Sequence, residues 1–486
     1  MRGVPVSADY DLAVIGSGFA GSLMAMIARR LGKSVILLER GRHPRFAIGE
    51  STTPLSNLLL EELATRHELP NLLPLCKWGP WRKTHPELAC GLKRGFTFYH
   101  HQAGRPPRRE DQLLVAASPR DEIADTHWYR ADVDAFFVKE AQNCGVEYRD
   151  QVRLETAREH EGGIVLEGDG VAIGARFAVD ASGPRGFLHR AFALPELPLA
   201  EMPRTEALYT HFTGVARMEE LDAPYPVDDA AVHHIFDGGW MWVLRFANGI
   251  TSAGVAGNFE LDGANAWQRL IDRFPMIRAQ FAGAEPVMPF VHAPRLSFRS
   301  GAIAGRHWAL LPSAAGFVDP LLSTGFPLTL LGVARLAEIF AGNGDWSTYA
   351  RKTEDELLAT ARLIGALYAS MENFPVFVSI SLLYFAAASF SETARRLGKP
   401  HLAPSFLLHD HPRFQMQPLL ERSRTVGFAE EVRRFIEPFN VAGLGDPQRR
   451  NCYPADADDV LNAAEKLGAT RDEVARVLDR CGFHAS

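Results

Sequence analysis

The glycines near the start of the chain are the feature that most restricts its fold. Gly16, Gly18 and Gly21 follow the short apolar run at residues 11–15 in the spacing G-x-G-x-x-G, and residues 22–31 have a helical pattern. In such a unit Gly16 permits a tight turn, Gly18 lets the backbone approach a pyrophosphate, and Gly21 lets helix and strand pack closely. The free helix N-terminus then faces the phosphates. The pattern predicts a strand, turn and helix that bind a dinucleotide.

A second apolar run supplies the acidic residue that such a unit requires. Residues 34–38 predict a buried strand that ends at Glu39. A carboxylate at this position accepts hydrogen bonds from the ribose of a bound nucleotide. Arg40 follows and is predicted to reach the adenine side, while Phe19 and Ala20 share the glycine turn. We expect all four residues to contact the cofactor.

A third stretch favours FAD over NAD as that cofactor. Residues 179–184, with the sequence VDASGP, end a strand in the way that flavin-binding folds return to their cofactor. Asp180 and Gly183 are the predicted contacts. The sequence has no second glycine fingerprint between a strand and a helix, and we therefore expect no domain for NADPH. Reduced flavin would then come from a separate protein.

Composition narrows the class of protein. The 486 residues are enough for roughly two to four domains. The hydrophobic fraction of 47% and the charged fraction of 23% are typical of a globular protein. A net charge of -6 argues against nucleic acid as a partner. The five cysteines form no CxxC pair and are odd in number, which predicts a reducing, cytoplasmic setting.

Two segments bear on localisation. Residues 1–5 lead into charged residues without an apolar stretch and cleavage site, so we expect no secretion signal. Residues 374–390 are strongly apolar, but they contain a proline and fall short of the roughly 20 residues of a membrane span. We expect a helix that is buried in the core or lines a substrate site, without membrane contact.

Four further stretches carry residues of chemical interest: 49–51 (GES), 93–98 (KRGFTF), 240–242 (WMW) and 316–325 (GFVDPLLSTG). Together they resemble the motifs of the flavin-dependent halogenases, the tryptophan-halogenase-like branch of the FAD monooxygenase superfamily. The resemblance implies an α/β fold: a Rossmann-like FAD-binding domain of the hydroxylase type, a mixed β-sheet as the substrate layer, and a mainly helical C-terminal region. It also implies an oxidoreductase of secondary metabolism.

The resemblance implies a role for individual residues. Glu50 and Lys93 would carry the chemistry, and Arg130 would lie near the cofactor at the start of a helix predicted over residues 132–143. The other implied contacts are Ser51, Ser313 and Asp319 for the flavin, the backbone at Ser323, Thr324 and Gly325 for a halide ion, and Trp240, Trp242 and Phe98 for the substrate.

The chemistry implied by the resemblance is coherent. Reduced FAD, oxygen and a halide give hypohalous acid. A buried lysine, whose pKa is lowered by burial, then hydrogen-bonds this acid or forms a haloamine and directs it to an electron-rich, phenol- or pyrrole-like ring. The implied partners are a flavin reductase and a small aromatic substrate, either free or bound to a carrier protein.

Three positions depart from the family pattern. Residues 243–245 (VLR) replace the family's Ile and Pro, and Pro312-Ser313 replaces the Gly-Asp expected before Ala-Ala, so that Ser313 would contact the ribityl chain instead. Leu322 stands where tryptophan-type enzymes carry a glutamate. This leucine argues against free tryptophan as the substrate.

Alternative interpretations stay open at this point. The chain is also consistent with a flavin monooxygenase that hydroxylates its substrate, or with a non-catalytic flavin-binding protein. Lys93 is equally consistent with a strand-edge lysine that reaches solvent. The two tryptophans are consistent with core filling.

An acidic segment at residues 121–127, which includes Asp125, is consistent with a pocket wall or with a solvated loop. The histidine pairs at residues 100–101 and 233–234 lack a ligand set, and no metal is expected.

The predicted domain organisation follows from these patterns. The FAD-binding domain is expected over residues 1–345, and the substrate sheet is inserted in it at about residues 85–130 and 200–300. Residues 346–486 are expected to form the helical region, which ends in a pair of helices over residues 456–467 and 470–478 joined by Gly468. Substrate choice is expected there, where five aromatic residues suit either an aromatic substrate or a plain core: Phe374, Phe377, Tyr384, Phe385 and Phe390.

Overall fold

The computed structural model describes residues 9–220, 223–261 and 265–483. The start of the chain, for which no secretion signal is expected, lies outside these residues. The strands are Tyr10–Ile15 (β1), Val35–Leu38 (β2), Cys90–Lys93 (β3), Gly95–His100 (β4), Gln112–Ala116 (β5), Asp125–Trp128 (β6), Glu147–Arg149 (β7), Thr156–His160 (β8), Gly163–Gly168 (β9), Val171–Asp180 (β10), Glu206–Thr213 (β11), Ala231–Phe236 (β12), Gly239–Arg245 (β13), Thr251–Gly257 (β14), Glu285–Pro286 (β15), Val291–Ala293 (β16), Phe298–Arg299 (β17), Trp308–Leu310 (β18), Gly316–Phe317 (β19) and Cys452–Tyr453 (β20).

Four of the described α-helices have an N-terminal residue whose side chain caps the first turn. Thr53 and Asp345, for example, accept hydrogen bonds from N–H groups of the first turn of their helices. The helices are Phe19–Arg30 (α1), Pro54–Arg66 (α2), Trp78–Thr84 (α3), Arg130–Asn143 (α4), Phe187–Ala191 (α5), Ala266–Ile271 (α6), Pro275–Gln280 (α7), Pro312–Ala315 (α8), Gly325–Phe340 (α9), Trp346–Tyr368 (α10), Phe374–Arg396 (α11), Gln417–Leu420 (α12), Phe428–Ile436 (α13), Ala457–Asn462 (α14) and Arg471–Arg480 (α15).

A seven-stranded sheet carries the predicted nucleotide unit. Its order is β7-β2-β1-β10-β9-β8, with β18 also paired to β10. Strand β1 runs parallel to both β2 and β10, and its last four residues are buried. The carboxyl ends of these parallel strands therefore meet at one edge of the sheet, which is where open α/β sheets bind ligands.

A mixed nine-stranded sheet forms a second layer. Its order is β15-β11-β14-β13-β12-β4-β5-β20, with β16 also paired to β11. The strand pairs β4–β12 and β5–β20 are parallel, and the other pairs are antiparallel. Strand β20 comes from residues 452–453, so the sheet is not built from residues before 346 alone. The domain division at residue 345 stays a prediction.

Strands β3 and β6, which flank β4 and β5 in the chain, form a short antiparallel sheet of their own. Strands β3 and β6 pair in a register that sets Lys93 opposite Asp125 and Gly91 opposite His127. At Gly91 a Cβ would lie 1.8 Å from the carbonyl oxygen of Arg245. Only glycine therefore lets this pair of strands approach β13 so closely.

The C-terminal region is mainly helical, as predicted. Helix α11 is the one helix among the described residues that is long and apolar enough to cross a membrane, but 78% of its apolar window is buried inside the protein. It packs against α13, α2 and α10. Burial of this kind is typical of a core helix, and it agrees with the expectation from the sequence.

Candidate active site

A large cavity opens at the carboxyl edge of the seven-stranded sheet. Its volume is about 1130 Å³. The predicted cofactor contacts that line it are Gly16, Gly18, Phe19, Ala20, Gly21, Glu39, Arg40, Ser51, Arg130, Gly183, Ser313 and Asp319. The fold thus gathers most of the predicted cofactor site, taken from residues 16 to 319, around one space.

The geometry of the cavity fits a dinucleotide. Gly16 has a φ of +98°, and a Cβ there would lie 2.8 Å from the backbone of Ala181. At the end of β2, Glu39 accepts hydrogen bonds from the Ser17 N–H (3.1 Å) and the Gly41 N–H (2.9 Å), which aim its carboxylate into the cavity. Arg45 lies 3.2 Å from the same carboxylate. The arrangement suits an adenosine ribose beside Glu39, with the pyrophosphate at the start of α1.

Arg130 connects the glycine turn at residues 16–21 to the GES loop at residues 49–51. Its guanidinium donates two hydrogen bonds to Asp134 (2.9 and 2.8 Å) and one each to the carbonyl oxygens of Ile48 (3.0 Å) and Gly49 (2.8 Å). The same Asp134 accepts the Phe19 N–H at 3.1 Å. Because Arg130 and Asp134 are both buried, the pair is only weakly screened by solvent and holds α4, the glycine turn and residues 48–49 together.

Arg130→Ala is expected to lower the free energy of unfolding by about 3–5 kcal/mol, because it leaves the Asp134 carboxylate buried without its partner. Arg149→Ala is the matched control, since the Arg149–Glu147 pair is 43% and 44% exposed and contributes at most about 1 kcal/mol. Chemical denaturation of both variants measures the difference. Equal stability of the two variants would contradict the bridging role of Arg130.

The predicted halide loop lies on the wall of the same cavity. Ser323, Thr324 and Gly325 all line it, and Gly325 begins α9. The first N–H groups of a helix have no acceptor within the helix and lie at the positive end of its dipole. Leu322 and Ser323 have φ values of 64° and 54°, a left-handed conformation that non-glycine residues rarely adopt. This backbone course turns the chain sharply just before α9.

Asp319 holds the predicted halide loop, residues 323–325, in place. Its carboxylate accepts hydrogen bonds from the Trp240 indole (3.1 Å), the Tyr368 hydroxyl (2.9 Å) and the Leu321 N–H (3.0 Å). Burial raises the pKa of Asp319 to about 6, against the effect of these hydrogen bonds. Asp319 therefore connects the second sheet and α10 to the loop in addition to lining the cavity.

The tryptophan pair lies beside the first cavity. Trp240 and Trp242 line this cavity together with His233, and their ring centroids are 5.6 Å apart. Phe98, which was predicted to contact the substrate with them, is fully buried and stacks on His233 at 4.5 Å. The structure therefore sets the two tryptophans on the cofactor side and Phe98 in the core behind them.

Asp180 lies behind the cavity wall. Its carboxylate accepts hydrogen bonds from the Ser182 N–H (2.8 Å), the Ser182 hydroxyl (2.6 Å) and the Leu188 N–H. Asp180 is fully buried, and burial raises its pKa. Its visible role is to shape the turn that carries Gly183 to the cavity.

Glu50 has a partner that sequence reasoning did not identify. Its Oε1 lies 2.7 Å from His211 Nε2, and both residues are buried. Glu50 lines the cavity, and its Oε2 is buried without a hydrogen-bond partner among the described residues. The two residues are 161 positions apart, and a single histidine in an alternating strand carries no signal that could have revealed the pair.

Lys93 lies in the protein interior, next to the GES loop at residues 49–51. Its side chain is fully buried, and its Nζ donates hydrogen bonds to Ser51 Oγ (2.9 Å) and to the carbonyl oxygen of Thr52. The Nζ also lies 4.0 Å from the centroid of the Phe96 ring. Burial lowers the pKa of Lys93, while the negative charge of Asp125 opposes that shift. The environment therefore makes the neutral amine accessible near neutral pH.

A second cavity lies near Lys93. Its volume is about 190 Å³. The residues that line it include Asn57 on α2, Phe96 on β4, Asp125 on β6, Tyr384 and Phe385 on α11, and Val477 on α15. Ser51 lines the first cavity and Phe96 the second, and both contact Lys93. Lys93 itself lines neither cavity, but its amine contacts one lining residue of each.

Comparison with known proteins identifies this arrangement. Residues 123–372, just over half of the chain, match the family described as tryptophan halogenase. The chain belongs to the tryptophan halogenase family of flavin-dependent halogenases. The resemblance seen in its motifs is thereby confirmed, as are the predicted class of enzyme, a flavin-dependent oxidoreductase, and the predicted use of FAD and a halide.

Two curated relatives and one solved structure are similar to this halogenase. Tetracycline 7-halogenase of Kitasatospora aureofaciens is 29% identical over 78% of this chain and 73% of its own length. Monodechloroaminopyrrolnitrin halogenase PrnC of Pseudomonas fluorescens is 30% identical over 68% of this chain, but only 61% of PrnC is covered. The crystal structure of halogenase PltM in complex with phloroglucinol and FAD is 23% identical, with a TM-score of 0.76 over 97% of this chain and 96% of that one. This likeness confirms the predicted fold.

Among the described residues, no group of three or more His, Cys, Asp or Glu side chains is placed to hold a metal ion. Three histidines of the two pairs that were considered as metal ligands form hydrogen bonds instead. His101 and His234 hydrogen-bond each other at 2.8 Å, and His100 bonds to the carbonyl oxygen of Met371 at 3.0 Å. The sequence-based expectation of a metal-free site stays a prediction.

Proposed function

We propose that this halogenase uses Lys93 to transfer halogen from the flavin cavity to an electron-rich aromatic ring in the second cavity. The observation that carries the proposal is a fully buried lysine whose Nζ contacts Ser51 of the first cavity and Phe96 of the second. Bound FAD, in its reduced form and with oxygen, supplies the oxidising equivalents that convert a halide to hypohalous acid. Every later step depends on residues of this chain.

The halide would bind at the start of α9. The N–H groups of Thr324 and Gly325 and the positive end of the helix dipole attract an anion there. An added Cβ at Gly325 would meet no atom within 4 Å, so space is open beside this backbone. Asp319 keeps the loop in position through its bonds to Trp240 and Tyr368.

Ser51 is the proposed connection between the cavities. It lines the flavin cavity and accepts a hydrogen bond from Lys93 Nζ. Hypohalous acid that leaves the halide loop would exchange hydrogen bonds with Ser51 and reach the amine, which holds the halogen as a haloamine. The apolar ring of Phe96 and the burial of Lys93 exclude water from this position, so that the oxidant is not lost by diffusion.

The proposed partners follow from this arrangement. The substrate is a small aromatic molecule, and a separate flavin reductase in the cytoplasm supplies reduced FAD. Similar proteins are consistent with such chemistry. The PltM crystal structure is a complex with phloroglucinol and FAD, and two relatives are a brominase and a chlorinase of pyrrole-2-carbonyl groups on a peptidyl-carrier protein.

A halide-dependent assay tests the proposed function. The purified protein receives chemically reduced FAD, oxygen and bromide together with a reactive dione trap, beside a control without halide. We expect protein-dependent bromination of the trap. Hydrogen peroxide alone, or hydroxylation of a phenol without halide, would instead support the monooxygenase interpretation, and failure to bind FAD would support neither enzyme.

The rate of phenol halogenation is expected to rise with pH and then level off, because burial lowers the pKa of Lys93 well below its usual value and halogen transfer to nitrogen requires its lone pair. The charge of Asp125 raises this pKa, so Asp125→Asn should move the inflection to lower pH. A pH–rate profile with excess reduced FAD, measured over about pH 6–9, tests both statements. A rate that falls with pH would indicate that the ammonium acts by donating a hydrogen bond.

A further inference from the structure

The second cavity holds unsatisfied hydrogen-bonding atoms in addition to its apolar wall. Asp125, Asn57 and Ser118 all line it, and each is more than nine-tenths buried. One polar atom of each, Asp125 Oδ2, Asn57 Oδ1 and Ser118 Oγ, is buried without a hydrogen-bond partner among the described residues. Buried polar atoms in native proteins are nearly always satisfied, so three such atoms in one small cavity call for a ligand.

The type of ligand follows from the chemistry of these atoms. A carboxylate oxygen and an amide oxygen only accept hydrogen bonds, and a hydroxyl can accept as well. Asp125 Oδ1 already accepts the Asn57 amide N–H at 2.7 Å, which leaves Oδ2 as its free acceptor. Glu392 and Arg396, the charged pair on α11 at the same cavity, bond to each other at 2.7 Å. Two further charged side chains at the cavity also have partners: Lys77 donates to the carbonyl oxygen of Cys481 at 3.4 Å, and Asp456 lies 3.8 Å from Arg449. The free acceptors therefore favour a neutral ligand with hydroxyl donors.

The size and walls of the cavity narrow the choice further. Phe96, Tyr384 and Phe385 supply aromatic surface, with Phe96 and Phe385 centroids 5.3 Å apart. A cavity of about 150 Å³ is enough for benzene, so a volume of about 190 Å³ suits one ring with hydroxyl substituents. It does not suit a fused ring system of several rings.

We infer that the second cavity binds a single-ring phenol whose hydroxyl donates to Asp125, and that Asp125 thereby orients and activates the ring. This inference rests on the proposed function, because Lys93 must deliver the halogen. The β3–β6 register sets Asp125 directly opposite Lys93, and residues opposite each other in an antiparallel pair have Cβ atoms about 4.5–5.5 Å apart. The phenol would lie within reach of the lysine nitrogen.

The chemical step balances with hypohalous acid as the oxidant. The net reaction converts hypohalous acid and an aromatic C–H group into a carbon–halogen bond and water. The O–halogen bond breaks when the halogen moves to Lys93 nitrogen, and the departing hydroxide takes one proton from the amine and leaves as water. The ring carbon then takes the halogen, the N–halogen bond breaks, and the ring proton returns to the amine. Asp125 draws the phenolic proton toward itself and so increases the electron density of the ring.

Binding of matched ligands to the holoenzyme tests the inference. Resorcinol and its dimethyl ether have the same ring, but only resorcinol donates hydrogen bonds. Burial raises the pKa of the Asp125 carboxyl, so binding is measured above neutral pH, where this group is ionised. There the wild-type protein should bind resorcinol roughly 10- to 100-fold more tightly, as expected for hydrogen bonds to a buried charge. Asp125→Asn should lose most of this preference, whereas Asp121→Asn, which alters a carboxylate that bonds Arg94 at 2.7 Å outside the cavity, should keep it.

A second variant tests the location independently. Ala388 lines the cavity on α11, and Ala388→Phe should fill it, so that halogenation of resorcinol falls at least tenfold while bromination of the dione trap continues. Full preference for resorcinol in Asp125→Asn, or normal resorcinol halogenation by Ala388→Phe, would overturn the inference. A wild-type protein that fails to brominate the trap would instead overturn the proposed function. If Asp125→Asn does not fold, Ala388→Phe decides.

Discussion

Lys93→Met is expected to reduce halogenation of a phenol by about 10²–10⁴-fold, the usual range for loss of a positioned catalytic group. Methionine has a similar length and no charge, so the buried position stays filled. Bromination of the dione trap should continue, because the halide loop and the flavin cavity are unchanged and hypohalous acid still forms. The two activities, measured on the same preparation, separate formation of the oxidant from its directed transfer.

Lys83→Met is the matched control for this experiment. Lys83 is an exposed residue of α3, and its substitution should leave both activities within about twofold, since surface changes of this kind have small effects. Phenol halogenation by Lys93→Met at the wild-type rate would rule out the proposed role. Loss of trap bromination as well would indicate that Lys93 also supports the flavin site.

Gly21→Ala is expected to abolish detectable FAD binding. A Cβ at this position would lie 2.0 Å from the carbonyl oxygen of Gly16 and 3.0 Å from Ala181 Cβ. Helix α1 would have to move away from β1, and this would remove its N-terminus from the pyrophosphate position. Overpacking of this kind also costs about 1–3 kcal/mol of unfolding free energy.

Flavin fluorescence titration and chemical denaturation measure these two effects. Gly162→Ala is the matched control, because its position in the β8–β9 turn is exposed and the nearest atom to an added Cβ is His160 Cε1 at 3.6 Å. We expect it to bind FAD like the wild-type protein. Wild-type affinity in Gly21→Ala would show that the close helix–strand contact is not required for the cofactor.

Local elements of the fold follow from the sequence with small errors at their ends. The strand predicted at residues 11–15 is Tyr10–Ile15, and the helix predicted at residues 22–31 is Phe19–Arg30. The helix begins earlier because Gly18, in extended conformation, takes the cap position. The glycine turn can be recognised from sequence because its constraints are steric and lie within a few residues.

One longer predicted helix near the C-terminus is interrupted, because its second half adopts a 3₁₀ conformation. The helix expected at residues 456–467 ends at Asn462 and continues as a 3₁₀ turn over Ala464–Leu467. Gly468, with a φ of 56°, then starts the connection to α15, as the sequence suggested. The tertiary packing of Leu467, which is fully buried, accompanies this tighter turn.

The candidate site also contains residues that the sequence predicted and partners that only the structure shows. The motifs predicted Lys93, Glu50 and the halide loop by position, but their partners are distant in the chain. Asp125 lies opposite Lys93 only because β3 and β6 pair in one register. His211 reaches Glu50 only because β11 belongs to the second sheet. No local pattern specifies either pairing, since a strand's periodicity records which face is buried and not which strand lies beside it.

The sequence by itself determined the dinucleotide unit, the family and the lysine, because each depends on short motifs whose geometry is local. The tertiary structure alone decided that Lys93 contacts a lining residue of each cavity and that Asp125, Asn57 and Ser118 share the smaller one. It also buries Phe98 and Asp180 outside the set of residues that line the first cavity, and their predicted contacts with substrate and cofactor stay predictions. Cavities are enclosed by elements far apart in sequence, and their shape is fixed only when both sheets and α11 pack together.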